Sequence, residues 1–290
     1  MSESDKVSIV IPAKNEAHNL AEFLPRLVAI MPDAEIILVD DGSTDNTAEL
    51  VSGFDLTHIR HPYSKGNGAA IKSGARAANG DVLVFLDGDG QHRPEDIPAM
   101  IAELDKGYDM VVGARGRESQ ASASRAFANG IYNWLSSLIT EQQVKDLTSG
   151  FRVVKASLFR EFLYLLPNGF SYPTTCTMAF FRAGYSVAYY PIKTETREGE
   201  SHINLIKDGI RFFLIIFKVG TLYSPLKIFL PVAVLYFITG SGYYLYTYLT
   251  MGRFTNMSAV LFMTAIIIFL IGLVSEQITA LMYKDSSGDH

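Results

Sequence analysis

The sequence predicts an α/β domain on a mostly parallel, Rossmann-like sheet, followed by an amphipathic interface helix and two transmembrane α-helices. Three observations predict it. Short apolar, β-branched runs alternate with helical patterns from Val7 to about residue 120. Acidic and glycine-containing groups stand directly after several of those runs. Two stretches without charge come near the end, 23 residues from Ile228 to Thr250 and 22 from Phe254 to Ser275. About 20 apolar residues cross a hydrocarbon core of ~30 Å. Two such stretches in tandem are hard to place inside a soluble core.

Val7–Ile11 (VSIVI) reads as a buried strand ending at Pro12. Glu16–Ile30 has apolar residues at helical spacing. Glu35–Val39 (EIILV) is a second strand, stopped by Asp40-Asp41-Gly42-Ser43. Thr44–Val51 reads as a helix capped by Thr44 or Asp45. Leu56–Ile59 is a third strand, Lys65–Ala78 a Gly/Ala-rich helix, Asp81–Leu86 a fourth strand and Met110–Gly113 a fifth. Such alternation gives βαβ units. In such sheets ligands bind beyond the carboxyl ends of the strands. Pro12–Glu16, Asp40–Ser43, Asp87–Gln91 and Gly113–Arg117 are therefore the segments expected to carry function.

Beyond residue 120 the alternation fades. Ala123–Ile139, Ala156–Leu166 and Thr174–Ala183 read as helical, Gly150–Val154 as a strand and Val187–Thr196 as extended. In Ile203–Val219, Lys207, Arg211 and Lys218 fall within about 40° of one another at 3.6 residues per turn. A basic stripe beside a broad apolar face suits a helix lying in the membrane interface. The expected division is a catalytic domain over 1–200, an interface helix over 201–224 and two spans within 225–284 (about 228–250 and 254–282). Residues 285–290 form a tail.

The net charge of −5 and the absence of a long basic run give no support to nucleic-acid binding. The single cysteine, Cys176, cannot form an internal disulfide and fits a reducing compartment. The start, MSESDKVSIVIPAKNE, lacks the pattern of a signal peptide. Lys218, Lys227 and Lys284 flank the spans. An integral membrane protein with its catalytic domain facing the cytoplasm is the expectation. Gly240, Ser241 and Gly242 could let helices approach closely and support a homo-oligomer.

Asp87-Gly88-Asp89 is the sharpest chemical signal. Two carboxylates at i and i+2 after a buried strand can point at one cation, and Gln91 adds a neutral oxygen. Mg²⁺ and Mn²⁺ prefer such oxygen ligands, often together with substrate phosphates. Bridged in this way, a nucleotide diphosphate becomes a better leaving group. After the second strand, one of Asp40 and Asp41 is expected to turn the chain, and Asp41 to meet a base or ribose. Glu16 and Asn15 follow the first strand, where Glu16 also reads as an ordinary first-turn helix residue. Lys65-Gly66-Asn67-Gly68 lacks the P-loop pattern and reads as a tight loop that lets a helix approach the sheet. Arg115, Arg117, Arg125, Arg152, Arg197 and His202 form a basic set suited to phosphate. No zinc-spaced Cys/His cluster and no G-x-S-x-G elbow occur.

VSIVIPAKNE, VDDGSTDNT, FLDGDGQHRPEDIP and DLTSGFRVV, in that order, resemble family 2 glycosyltransferases of the GT-A fold. The closest resemblance is to the polyprenyl-phosphate subgroup, typified by dolichol-phosphate mannose synthase, and it covers roughly residues 7–220. It implies that Pro12, Lys14, Glu16, Val39 and Asp41, with Asp87, Gly88 and Asp89, bind the nucleotide-sugar donor. Asp87, Asp89 and Gln91 would hold Mg²⁺ or Mn²⁺. Arg115, Arg125, Asn129, Arg197, Ser201 and His202 would face the phosphate of a polyprenyl phosphate acceptor at the lipid bilayer. Asp146, Ser149, Gly150 and Phe151 would line the acceptor side, and Asp89, Arg125 and Asp146 would serve catalysis. His202 stands where the family has lysine, so a fixed charge is replaced by a titrating one. The Q-x-x-R-W motif of processive members is absent.

The resemblance implies inverting, metal-dependent transfer of a hexose from a donor of the GDP-mannose or UDP-glucose type. Two other readings stand beside it: a transferase acting on a lipid hydroxyl such as diacylglycerol, and a non-catalytic membrane scaffold.

Overall fold

The structure is a computed structural model. It describes residues 6–115, 140–169, 171–193 and 223–284, with scattered positions over 130–137 and 217–221. The chain divides into two compact units, Met1–Asn204 and Leu205–His290.

In the first unit, seven strands form one sheet: β1 (Val7–Ala13), β2 (Glu35–Asp40), β3 (Thr57–Arg60), β4 (Val82–Phe85), β5 (Met110–Arg115), β6 (Arg152–Lys155) and β7 (Val187–Ile192). Their spatial order is β3-β2-β1-β4-β6-β5-β7. β1, β2, β3 and β4 run parallel, as do β5 and β7. β6 runs antiparallel to both β4 and β5. The expected mostly parallel sheet is present, with this one reversal. Because β6 opposes both neighbours, its entry lies at the edge where β4 and β5 exit. Arg152 pairs with Phe85 on one side and Val112 on the other.

β1 and β4 read as continuous apolar runs because helices cover both faces of the sheet. One face packs Ile9, Ile11, Leu38, Val84 and Val111 against α1 (Ala17–Ile30) and α4 (Ile97–Leu104). The other face meets α3 (Asn67–Ala77), α5 (Ala156–Glu161) and α6 (Tyr172–Arg182). There a Cβ on Gly74 would lie 2.3 Å from Val10 Cγ1, so glycine lets α3 lie on β1. Phe85 and Phe159 stack with centroids 4.6 Å apart. β3, with its polar THIR sequence, is an edge strand, and β7 stands at the opposite edge. The short α2 (Thr47–Val51) begins later than the sequence pattern predicts. Asp45 Oδ1 accepts from the Thr47 N–H (3.1 Å) and hydroxyl (2.6 Å), which sets the start of the helix at Thr47.

The second unit contains α7 (Pro225–Met251) and α8 (Asn256–Lys284), both long and apolar enough to cross a membrane. Only 11% and 17% of their most apolar windows are buried, so neither is the core helix of a soluble fold. α7 extends past the uncharged stretch 228–250 at both ends, whereas α8 begins two residues inside the stretch that starts at Phe254 and runs beyond Ser275 to Lys284. Gly252, in the left-handed conformation (φ +64), ends α7 and donates to Tyr248 O at 2.9 Å. A Cβ on Gly240 would lie 3.1 Å from Leu261 Cβ, and one on Gly272 2.8 Å from Phe229 Cβ. Gly240 therefore serves contact within this hairpin, whereas Gly242 has open space beside it among the described residues. Glu276 Oε2 accepts from the Leu226 N–H (3.2 Å) and Ser224 hydroxyl (3.4 Å), tying α8 to the first turn of α7.

Candidate active site

The exits of β1, β2, β4 and β5 and the entry of β6 meet at one edge of the sheet. Asp41 follows β2 and is 4% exposed. Its Oδ1 accepts from His61 Nδ1 (2.7 Å) and the Lys65 N–H (2.8 Å). Its Oδ2 accepts from the Ser64 hydroxyl (2.7 Å) and the Gly66 N–H (2.8 Å). Burial raises its pKa, but the bonds from His61, Lys65, Ser64 and Gly66 outweigh that and lower it to about 2. Both Asp41 oxygens are thus engaged by the 61–66 segment. Asp40 is fully buried, accepts the Ser43 N–H at 2.7 Å and lies 3.4 Å from Arg60 Nε. Both aspartates therefore shape the chain.

The β1 exit is stapled to the β2 exit. Asn15, left-handed at φ +57, donates its N–H to Ser43 Oγ at 2.9 Å and accepts the Thr44 N–H at 2.8 Å. The Ala17 N–H donates to Asp45 Oδ2 at 3.1 Å. Pro12 and Val39 pair in register and are buried, so they form the floor of this edge. Lys14 is exposed. Glu16 is half-buried and accepts from Asn19 Nδ2 at 2.5 Å.

Asp87, Gly88 and Asp89 leave β4 beside this staple. The Gly88 N–H donates to Pro12 O at 3.2 Å, and a Cβ there would lie 3.1 Å from the same oxygen. Glycine thus lets the β4 exit lie on the β1 exit. Asp89 Oδ1 accepts the Gln91 N–H at 3.1 Å. Asp87 Oδ1 accepts from Asn67 Nδ2 at 3.1 Å, and His92 Nε2 lies 3.7 Å from Asp87 Oδ2. Burial works to raise the Asp87 pKa, yet His92, Asn67 and the Arg115 charge hold it below the usual range. His92 is buried against the Phe151 ring, centroids 5.3 Å apart.

Asn67 and His92 are the residues that sequence reasoning missed. His92 follows Gln91 inside a motif already quoted, whereas Asn67 sat in a loop read only for its glycines. That loop also needs correction. Cβ atoms on Gly66 and Gly68 would lie 2.4 Å from Asn168 O and 2.1 Å from Pro167 O. The glycines admit the 167–169 segment; Gly74 is what brings α3 to the sheet. Asn168 O also accepts the Ala69 N–H at 3.1 Å, so the first turn of α3 is already covered. Lys65 is exposed, its Nζ 5.9 Å from the Tyr63 ring centroid.

Across the edge, Arg115 grips Asp146. Its Nε donates to Oδ2 (2.8 Å), its Nη2 to Oδ1 (3.0 Å) and to Thr148 Oγ1 (2.6 Å), and its N–H to Oδ2 (3.2 Å). Asp146 is 5% exposed. Its burial raises the pKa, and the Arg115 bonds and charge outweigh that to lower it. Arg152, a member of the basic set, is fully buried. Its Nε donates to Ser149 O (2.9 Å), its Nη1 to Thr177 Oγ1 (2.7 Å) and its Nη2 to Leu147 O (3.4 Å). It therefore holds the 147–149 turn, which presses Gly150 onto Asp87. A Cβ on Gly150 would lie 2.5 Å from Asp87 Oδ2.

Arg117, Arg125, Asn129, Arg197, Ser201 and His202 lie outside the described residues, as do most of the Ala123–Ile139 segment and nearly all of the expected interface helix over Ile203–Val219.

Asp87, Asp89 and Gln91 are hard oxygen donors that fit Mg²⁺ or Mn²⁺. Beside Asp87, Asn67 Oδ1 and His92 Nδ1 are buried polar atoms without hydrogen-bond partners, and Gly150 keeps space open at Oδ2. Among the described residues, no group of three or more His, Cys, Asp or Glu side chains is placed to enclose a metal. A cation at this carboxylate pair would complete its shell with substrate oxygens and water. A cavity of about 470 Å³ lined by Asp81, Asp105, Lys155 and Arg160 lies instead at the amino end of β4, away from these groups.

Residues 8–165 match the family model for Glycosyl transferase family 2, and residues 224–281 match the GtrB C-terminal hairpin. The undecaprenyl-phosphate 4-deoxy-4-formamido-L-arabinose transferase of Edwardsiella ictaluri (strain 93-146) is 32% identical over 212 residues, 69% of this chain and 64% of that protein. Its counterpart in Pseudomonas fluorescens (strain Pf0-1) is 36% identical over 190 residues, 58% of this chain and 55% of that protein. The chain thus spans less than two thirds of the length of these relatives. Glucosyl-3-phosphoglycerate synthase from Mycobacterium tuberculosis, in complex with Mn²⁺ and uridine-diphosphate-glucose, superposes with a TM-score of 0.58 at 21% identity. That match covers 73% of this chain and 77% of the other, and is a likeness of fold.

Proposed function

Because the chain belongs to glycosyl transferase family 2, we propose that it transfers a sugar from a nucleotide-sugar to a polyprenyl phosphate at a membrane, with inversion at the anomeric carbon. The reading is supported by the names of the relatives, the carboxylate pair after β4 and the two helices of membrane-spanning length. The observation that carries the choice of acceptor is the Arg115–Asp146 pair. A hydroxyl acceptor needs a general base, and Asp146 is the carboxylate on the acceptor side among the described residues. It is buried, held by Arg115, and lowered in pKa, which makes it a weak base. A phosphate monoester is already ionised near neutral pH, its second pKa being about 6, and needs none.

In this reading Asp87, Asp89 and Gln91 hold Mg²⁺ or Mn²⁺, as a related fold holds Mn²⁺ with its nucleotide-sugar. The cation would offset the charge of the diphosphate and stabilise it as a leaving group. The β1 and β2 exits, with Lys14 and Glu16, receive the nucleotide. Arg115 has Nε and Nη2 engaged by Asp146 and Thr148, so Nη1 is the side offered to an incoming phosphate. Asp146 fixes the plane of that guanidinium, and Arg125, Arg197 and His202 complete the acceptor side. Orientation and charge, not proton transfer, lower the barrier. The catalytic unit faces the cytoplasm. The sugar is open between a hexose and an arabinose derivative such as the relatives are named for.

The test uses the purified full chain in detergent with Mg²⁺ or Mn²⁺ and undecaprenyl phosphate. Donors are GDP-mannose, UDP-glucose and nucleotide-linked 4-deoxy-4-formamido-L-arabinose. One donor should turn over, and chelation should stop it. Transfer to diacylglycerol but not to the lipid phosphate would overturn the acceptor. No turnover with any donor would favour a scaffold.

A further inference from the structure

The carboxylate of Asp87 is not left to find its own orientation. Oδ1 is held by the Asn67 side-chain amide at 3.1 Å. Oδ2 faces His92 and is walled by Gly150. Asn67 is the first residue of α3, and its place is set from a distance. Asp41 captures the N–H groups of Lys65 and Gly66, and Gly66 adopts φ +103, a conformation open chiefly to glycine. The chain then enters α3 with the Asn67 side chain directed at Asp87. The amide orientation is fixed by chemistry: the reversed amide would set its oxygen against a carboxylate oxygen. With Nδ2 on Asp87, Oδ1 is buried without a hydrogen-bond partner. A protein tolerates such an unmade bond where the opposite end of the group does something it needs.

The type of residue also matters. A lysine or arginine at this place would hold Asp87 just as firmly but would neutralise the charge that attracts a cation. An amide fixes one lone pair and leaves the carboxylate anionic. We propose that Asn67 is a positioning residue that orients Asp87 for its divalent cation without competing for its charge. This rests on the reading of Asp87 as a metal ligand. Groups that orient metal ligands typically change metal affinity or activity by about 10–100-fold when removed.

The experiment measures Mn²⁺ binding by electron paramagnetic resonance. It uses the full chain in detergent, with UDP in one arm and GDP in another, for wild type, Asn67→Ala and Asp87→Ala. The metal-free melting temperature of each variant is recorded alongside. In the arm where wild type binds Mn²⁺, Asp87→Ala should abolish the site. Asn67→Ala should weaken it by about tenfold or more while melting within a few degrees of wild type. If Asp87→Ala loses the ion and Asn67→Ala binds it like wild type, the role of Asn67 is overturned and the metal reading stands. If wild type retains no more Mn²⁺ than Asp87→Ala in either arm, the metal reading fails and this inference falls with it. A matching loss of melting temperature in Asn67→Ala would reduce the residue to a structural role.

Discussion

Asp41→Asn separates a scaffold role from a ligand role at a residue that the family motif assigns to the nucleotide. The wild-type carboxylate accepts four hydrogen bonds from the 61–66 segment. Its pKa falls from the ordinary 3.8 to about 2 on folding. At about 1.36 kcal/mol per pH unit, that fall amounts to roughly 2 kcal/mol in favour of the folded state. The sign follows from the direction. A carboxyl depressed in the folded state contributes stability that is fully present above 3.8 and is lost as pH falls through about 2. The amide keeps one acceptor and turns an NH₂ towards two of the former donors, so the loss should reach at least about 2 kcal/mol. The assay is equilibrium denaturation of the detergent-solubilised chain between pH 4 and 8, followed by fluorescence. Asp41→Asn should sit about 2 kcal/mol below wild type, with a gap that is flat from pH 5 to 8 and begins to narrow towards pH 4. Wild-type stability together with weakened nucleotide binding would refute the scaffold role.

Three further outcomes are expected. Gly150→Ala places a Cβ 2.5 Å from Asp87 Oδ2; turnover should fall at least tenfold with a stability cost of about 1–3 kcal/mol, measured by kinetics and melting on the same preparation. Arg115→Met leaves Asp146 buried and unpaired and should cost about 3–5 kcal/mol. Arg115→Met with Asp146→Leu should cost much less than the sum, and a double-mutant cycle of denaturation energies measures the difference. Glu276→Ala removes the acceptor for the Leu226 N–H and Ser224 hydroxyl; it should destabilise the hairpin by about 1 kcal/mol, read as a lower melting temperature in detergent.

The donor half of the edge was legible because each of its segments follows a parallel strand, and apolar period and strand ends together fix where such segments stand. Asp87-Gly88-Asp89 is the clearest instance. Direction of side chains was not legible. Asp41, in an expected segment, and Arg152, in the basic set, are both drawn inward by partners that no local pattern reveals. Asn67 was invisible for the complementary reason: its contact with Asp87 joins two exits of the sheet and depends on Gly66 and on bonds from a third. The reversal of β6 also escaped the pattern, since a four-residue strand carries no sign of its direction.

That reversal turns the stretch between Asp146 and Arg152 into a ruler. One end is fixed by Arg115 at the tip of β5, the other by Arg152 in register with both Phe85 and Val112. Gly150, inside the stretch, rests on Asp87. An added or deleted residue here has no slack to absorb it. A one-residue slip of β6 would exchange the two faces of the strand, and a bulge would lift Gly150 off the carboxylate. The length of this stretch should therefore tolerate change less well than most of its side chains do. The distance between the Asp87 carboxylate and the Arg115 guanidinium is thus set by counting residues.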